Sequence, residues 1–238
     1  MKCVVHLDSR VFPRKKENTD YRHISIISAI TLDGESLKPM IIVTRKRYEK
    51  EIENERWYNS MDYLFLESGY NTIKNMHEWV INVFAPYVLS IREELGQLDA
   101  PCILIMDNMT AHGNSDVMNL FNNIGNVYVV FLPPHSSHFM QALDLLFFGV
   151  FKKFYKSLRS EDPSDSLVGK LSNIHKALYY ASNFSTIQKS FRRAGFSLIL
   201  NRDGKISIQI LKEKQEKIIK QGTEKTSNNN LNMKFLLC

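Results

Sequence analysis

The sequence predicts an α/β fold, a mixed sheet flanked by helices, and three observations carry the prediction. The apolar run Cys102 to Met106 stops abruptly at Asp107-Asn108, and a second run, Val127 to Leu132, breaks at Pro133-Pro134. Short apolar runs bounded by polar residues suit buried strands. Between them Val117, Leu120, Phe121 and Ile124 recur at helical spacing, which makes a strand–helix–strand step. Upstream, His23 to Leu32 and Leu37 to Val43 flank Asp33-Gly34, the signature of an antiparallel hairpin with a two-residue turn.

The remaining elements follow in order. Cys3 to Leu7 reads as a short strand ending at Asp8, followed by a polar, basic loop, Arg10 to Arg22. Arg45 to Tyr58 mixes both charges and reads as a solvated loop and helical face, with Arg45 and Lys46 as secondary phosphate contacts. Tyr63 to Leu66 is a short strand. Ile73 to Leu89 is a helix with Trp79 and Val80 inward, and Tyr87 to Leu98 extends it until Asp99-Ala100-Pro101 stops it. Asn114 or Ser115 caps the helix after Asp107. Leu145 to Leu158 forms a helix with Phe147, Phe151 and Phe154 on its apolar side and Lys152, Lys153, Lys156 and Arg159 on its basic side. Leu167 to Phe196 is helical, with Gly195 as terminator. Ile206 to Leu211 reads as a strand, Lys212 to Lys220 as a charged helix, and Lys225 to Asn232 as a disordered tail. The expected organisation is one domain over 1–200 and a charged, partly disordered extension over 201–238.

Composition sets outer limits. A chain of 238 residues with 44% hydrophobic content supports one substantial core. No apolar run approaches the roughly 20 residues that span a bilayer, so no membrane is expected. Cys3, Cys102 and Cys238 lack metal or disulfide spacing, which favours a reducing compartment. A net charge of +6 and a pI near 9.1 agree with a polyanionic partner.

Taken together, ILIMDNMTAH, FLPPHSSHFMQALD and LLFFGVFKKFYK resemble the catalytic heart of DDE-superfamily endonucleases, most closely the pogo, Tigger, jerky and centromere-protein-B group of transposase-derived proteins. The resemblance runs from about Arg22 to Phe196. It implies an RNase H-like fold, with Asp107 and Asp144 matching two positions that ligate metal. It also implies two Mg2+ or Mn2+ ions, DNA as partner with self-association admitted, and a nuclear location. Two divalent ions roughly 3.5–4 Å apart stabilise the entering and leaving oxygens of an in-line displacement, and hard oxygen ligands suit them. Without the motif string, Asp107 is an ordinary strand-end acid and Asp144 a helix N-cap.

In relatives a histidine stands near the metals at the position of His112, in the turn that Asn108 opens. His135 and His138, with Gln141, shape the active-site loop and face the DNA backbone. Their spacing invites zinc, but no third ligand completes a tetrahedral set. Lys152, Lys153, Lys156, Arg192 and Arg193 are the candidate DNA contacts, since neutralised phosphates supply most non-specific affinity. One departure is visible: Ala142 stands where the family usually has Pro.

The family carries a first catalytic Asp, commonly followed by Glu, on the strand before the hairpin. Two readings compete. Asp8 is that residue, at the end of an apolar strand; or VVHLDSRVFPRKK is the loop after it, with the acid upstream of Met1. The missing Glu after Asp8 favours the second, which describes a catalytic core cut off at its front. The function expected is metal-dependent cleavage and strand transfer of DNA. The contrasting expectation is a catalytically inactive, transposon-derived nucleic-acid-binding or interaction protein.

Overall fold

The computed structural model describes residues 3–6, 24–44, 49–66, 72–107, 114–133, 135–161, 163, 166–200 and 206–210. Its first sheet has the order β1-β2-β3-β4, from Cys3–His6, Ile24–Ser28, Met40–Thr44 and Asp62–Leu66. β1 and β3 both run antiparallel to β2, and β4 runs parallel to β3. A second sheet pairs β5 (Cys102–Met106) in parallel with β6 (Val127–Phe131), across helix α4 (Ser115–Ile124). The expected α/β class, mixed pairing and strand–helix–strand step are all present.

Two hydrophobic cores, one on each face, hold these strands. Ile26, Ile41 and Val43 face one core, while Ile27, Met40 and Ile42 face the other. Alternation of successive side chains is what divides them. The second core is closed by α4 and by a long helical passage: α2 (Ile73–Trp79), a π-helical turn (Val80–Phe84) and α3 (Ala85–Glu94). Trp79 and Val80 are buried as expected. The first core is closed by α6 (Phe148–Glu161), α7 (Leu167–Ala181) and α8 (Phe184–Ala194). The short helix α1 (Glu49–Ile52) contributes Ile52 to it.

Several local details differ from the sequence reading. The β2–β3 turn is wider than Asp33-Gly34 alone: Thr31 N donates to Glu35 O, and the Thr31 hydroxyl accepts from Glu35 N. Gly34 still supplies the positive φ, at 109°. β3 starts at Met40 because Pro39 has no N–H to give a ladder. The stretch 167–196 divides in two, since the Asn183 side chain accepts from Ser185 N and starts α8 afresh. Gly195 ends α8 in the left-handed conformation. Beyond it, β7 (Phe196–Leu200) pairs antiparallel with β8 (Ile206–Ile210), the strand expected there. The charged helix and asparagine-rich tail expected farther on fall outside the described residues.

The passage into α6 departs most. A four-residue helix, α5 (Ser137–Met140), leads through Gln141 into a π-helical turn, Leu143–Phe147, and only then into α6. Asp144 therefore sits inside a first turn whose N-cap is Ala142, and is not itself the cap. In this wider turn the Phe148 N–H reaches back five residues to Leu143 O.

Arg92 ties the sheet to its helices. It is 2% exposed, and its guanidinium donates to Ala100 O at 2.9 Å, Ile124 O at 3.1 Å and Gly125 O at 2.7 Å. It thereby fastens the approach to β5 and the C-terminus of α4 together, where helix carbonyls favour a cation. Replacing it with Met leaves three carbonyls unmet, each a cost of about 1–3 kcal/mol, so Arg92→Met should lower the unfolding free energy by about 3 kcal/mol or more in urea titration. Lys should restore little, since a point charge cannot reproduce the fork.

Ala142 yields a second expectation. Its φ is −54°, and Gln141 before it is extended at φ −85°, ψ 106°. Both conformations suit proline at 142, so Ala142→Pro should raise stability by about 0.4–1 kcal/mol, read as a higher Tm.

Candidate metal centre and nucleic-acid face

β5 places the first acid. Cys102, Leu104 and Met106 are buried in the core closed by α2–α4, and Ile103 and Ile105 are half-buried, with Ile105 packing on the core closed by α6–α8. Asp107 shares the parity of Ile103 and Ile105, so alternation puts it in the row facing α6–α8. It is half-buried, with its Oδ1 inaccessible to solvent. β6 ends level with β5, since Met106 pairs with Phe131 and Leu132 N donates to Met106 O at 2.8 Å. The loop after β6 therefore leaves from the edge where Asp107 stands.

That loop is braced by its own backbone. The buried Ser136 donates its hydroxyl to Pro133 O at 2.6 Å, and Phe139 and Met140 N–H groups donate to Ser136 O. His135 adopts φ +60°, a conformation uncommon outside glycine and stored chiefly where the surroundings enforce it. His135 and His138 are exposed, and the His138 ring meets Phe139 edge-on at 4.8 Å. Gln141 is buried, and its carbonyl accepts from both Asp144 N (3.0 Å) and Leu145 N (3.1 Å), so it is the pivot into the second acid's turn.

A small apolar void joins the two halves. Ile105 and Leu132 line it from the strand side, Gln141 and Ala142 from the loop, and Phe191 of α8 and Phe196 at the start of β7 from a third side. Asp107 lies two residues past Ile105, and Asp144 two residues past Ala142. In the π turn Leu143 and Phe147 are buried in the core while Asp144 is exposed. Arg193, on the last turn of α8, donates from Nη1 to Leu145 O at 3.3 Å and clamps this turn. The sequence leaves Arg193 as a DNA contact or a merely exposed residue; its bond to the turn beside Asp144 leaves no signal there.

The structure thus puts Asp107 at the end of β5, Gln141 buried ahead of the π turn and Asp144 exposed within it, and Ile105 and Ala142, each two residues before an acid, line one void. Lys152, Lys153 and Lys156 stand exposed on the solvent side of the helix that follows Asp144, and Arg192 is exposed beside Arg193 on α8. Asp8, Asn108 and His112 lie outside the described residues, as do Arg45 and Lys46; β1, the strand before Asp8, ends with His6 opposite Ser25. Among the described residues no three His, Cys, Asp or Glu side chains converge as a metal-binding group. The two carboxylates are hard oxygen donors, which fits Mg2+ or Mn2+ with waters completing the shell. Among the described residues no helix is long and apolar enough to cross a membrane.

Comparison with known proteins gives three findings. The chain is 23% identical over 212 residues to a Cochliobolus lunatus protein named MFS-type transporter clz9; the matched part is 87% of this chain and 21% of that protein. It spans about a fifth of the length of this curated relative. Among solved structures it is similar to a chain of the simian T-cell lymphotropic virus intasome in complex with PP2A regulatory subunit B56 gamma, at 12% identity and a TM-score of 0.40, covering 75% of this chain and 45% of that one. Residues 21–192 match the model of the DDE superfamily endonucleases, a stretch that includes both Asp107 and Asp144. The chain belongs to the DDE superfamily endonuclease family.

Proposed function

We propose that the chain is a transposase-derived DDE endonuclease core of the pogo, Tigger, jerky and centromere-protein-B kind, acting on nuclear DNA in cleavage and strand transfer. The observation that supports this is the match of residues 21–192 to the DDE superfamily endonucleases, a stretch in which Asp107 ends a strand and Asp144 stands exposed in a helical turn. On this reading residues 1–200 form the catalytic unit. Asp107 and Asp144 would hold Mg2+ or Mn2+, with Asp8 as the candidate third carboxylate. When bound, two such ions stabilise charge on the attacking and leaving oxygens of a phosphodiester.

The chain's own groups do the rest. Asp144 is kept turned outward by the buried Leu143 and Phe147 and by the Arg193 clamp on Leu145 O. His135 and His138 are exposed on the same loop and can donate to phosphate oxygens, and Asn108 and His112, which follow Asp107 in sequence, are candidate partners. Lys152, Lys153 and Lys156 would track the DNA backbone beyond the cut. Each phosphate they neutralise releases counterions, so binding should weaken steeply with salt.

The test is nicking of supercoiled plasmid by the purified chain in Mg2+ or Mn2+. Asp107→Ala and Asp144→Ala should each lower the rate at least about a hundredfold, beyond the loss typical of outer-shell changes at metal sites. An equal loss in Asp8→Ala would make it the third ligand. Nicking that survives Asp107→Ala would sink the reading. A folded chain that binds DNA but cuts none with every acid intact would be the inactive relative instead.

A further inference from the structure

Helices α6, α7 and α8 carry nine lysines and arginines against a single carboxylate, Glu161. Two aromatic rings stand out of this surface. Tyr179 is 74% exposed and Tyr180 49%, both on α7. Tyr180 lies flat on Phe154 of α6, with ring centroids 4.5 Å apart and planes 12° from parallel. Tyr179 meets Tyr180 edge-on at 6.0 Å. Lys176, exposed, precedes the pair by three and four positions and so shares their side of the helix.

We propose that Tyr179 and Tyr180, backed by Phe154 and flanked by Lys176, are a stacking platform for unpaired bases of a DNA strand. The proposal rests on the DNA reading above and adds the form of DNA that this face takes. A ring can stack only on the flat face of a base, and a duplex hides those faces between neighbouring pairs; single strands offer them. The excess of cations on these three helices, Lys176 among them beside the rings, favours a polyanion over an ordinary protein surface. Phe154 fixes the Tyr180 ring in advance, so little rotamer freedom remains to be lost on binding. None of the three rings has a part in the metal site.

The experiment measures binding of the full chain to a fluorescein-labelled oligothymidylate of about twenty nucleotides, and to a duplex of equal length, by fluorescence anisotropy. Tyr179→Ala and Tyr180→Ala should each raise the Kd for the single strand about tenfold and change the duplex Kd less than about twofold. Tyr179→Phe and Tyr180→Phe, which keep the rings, should bind like the parent. Circular dichroism on each variant checks the fold, which surface rings leave intact. Lys152→Ala with Lys153→Ala should weaken both forms of DNA, as phosphate contacts do. Equal losses on both DNAs, no loss on either, or Phe variants as weak as Ala would overturn the platform. Because the readout needs no cleavage, a chain that cannot cut DNA still tests it. A chain that binds neither DNA overturns platform and DNA reading together, whereas selective single-strand loss without cleavage overturns only the nuclease.

Discussion

The molecule is organised by strands that must be buried on both faces at once. Ile26 and Ile27 are adjacent in sequence and 0% and 1% exposed, yet they belong to different cores, as do Ile41 and Ile42. Each such side chain gains about 1.5–3 kcal/mol from burial. A slip of β2 by one residue would exchange the two sets and mismatch both cores together. Register is therefore held from two sides. The same parity extends along β5, and it is what turns Asp107 toward α6–α8 and away from α4.

This constraint also explains which parts could be read from sequence. Elements fixed by period and by strong punctuation were legible: the Cys102–Met106 run, the amphipathic α4, the Gly195 terminator and the burial of Trp79. Features decided by single hydrogen bonds were not. Nothing in the residues 167–196 announces that Asn183 will cap a new helix, since asparagine fits helix surfaces and caps alike. The wider turn at Leu143–Phe147 is likewise silent, because its apolar spacing also fits an ordinary helix. Val127 to Leu132 reads as a uniformly apolar strand, yet Tyr128 and Val130 are 57% and 39% exposed, because only the alternate residues Val127, Val129 and Phe131 pack on a core.

The candidate site was legible by a different route. Periodicity located the strand ends, but only the motif string singled out Asp107 and Asp144 among many acids. What the structure adds is a void that the strand end and the turn both line. The void lined by Ile105, Leu132, Gln141 and Ala142 links strand end to turn. The paired N–H bonds to Gln141 O and the Arg193 bond to Leu145 O fix the turn from opposite sides.

The arrangement separates charge in a way that suits a polyanion. On the proposed reading Asp107 and Asp144 would share a divalent cation as their counter-charge. Cations line α6, α7 and α8, with Glu161 their single acidic member. A phosphate backbone lying across α6 would meet attraction from Lys152, Lys153 and Lys156 and, on the proposed reading, repulsion from the carboxylates of Asp107 and Asp144. A metal held by those acids would reverse the second effect. If the proposed site holds metal, binding of DNA and of metal should reinforce one another, since each removes a charge the other would find unfavourable, and by linkage the gain is the same whichever arrives first.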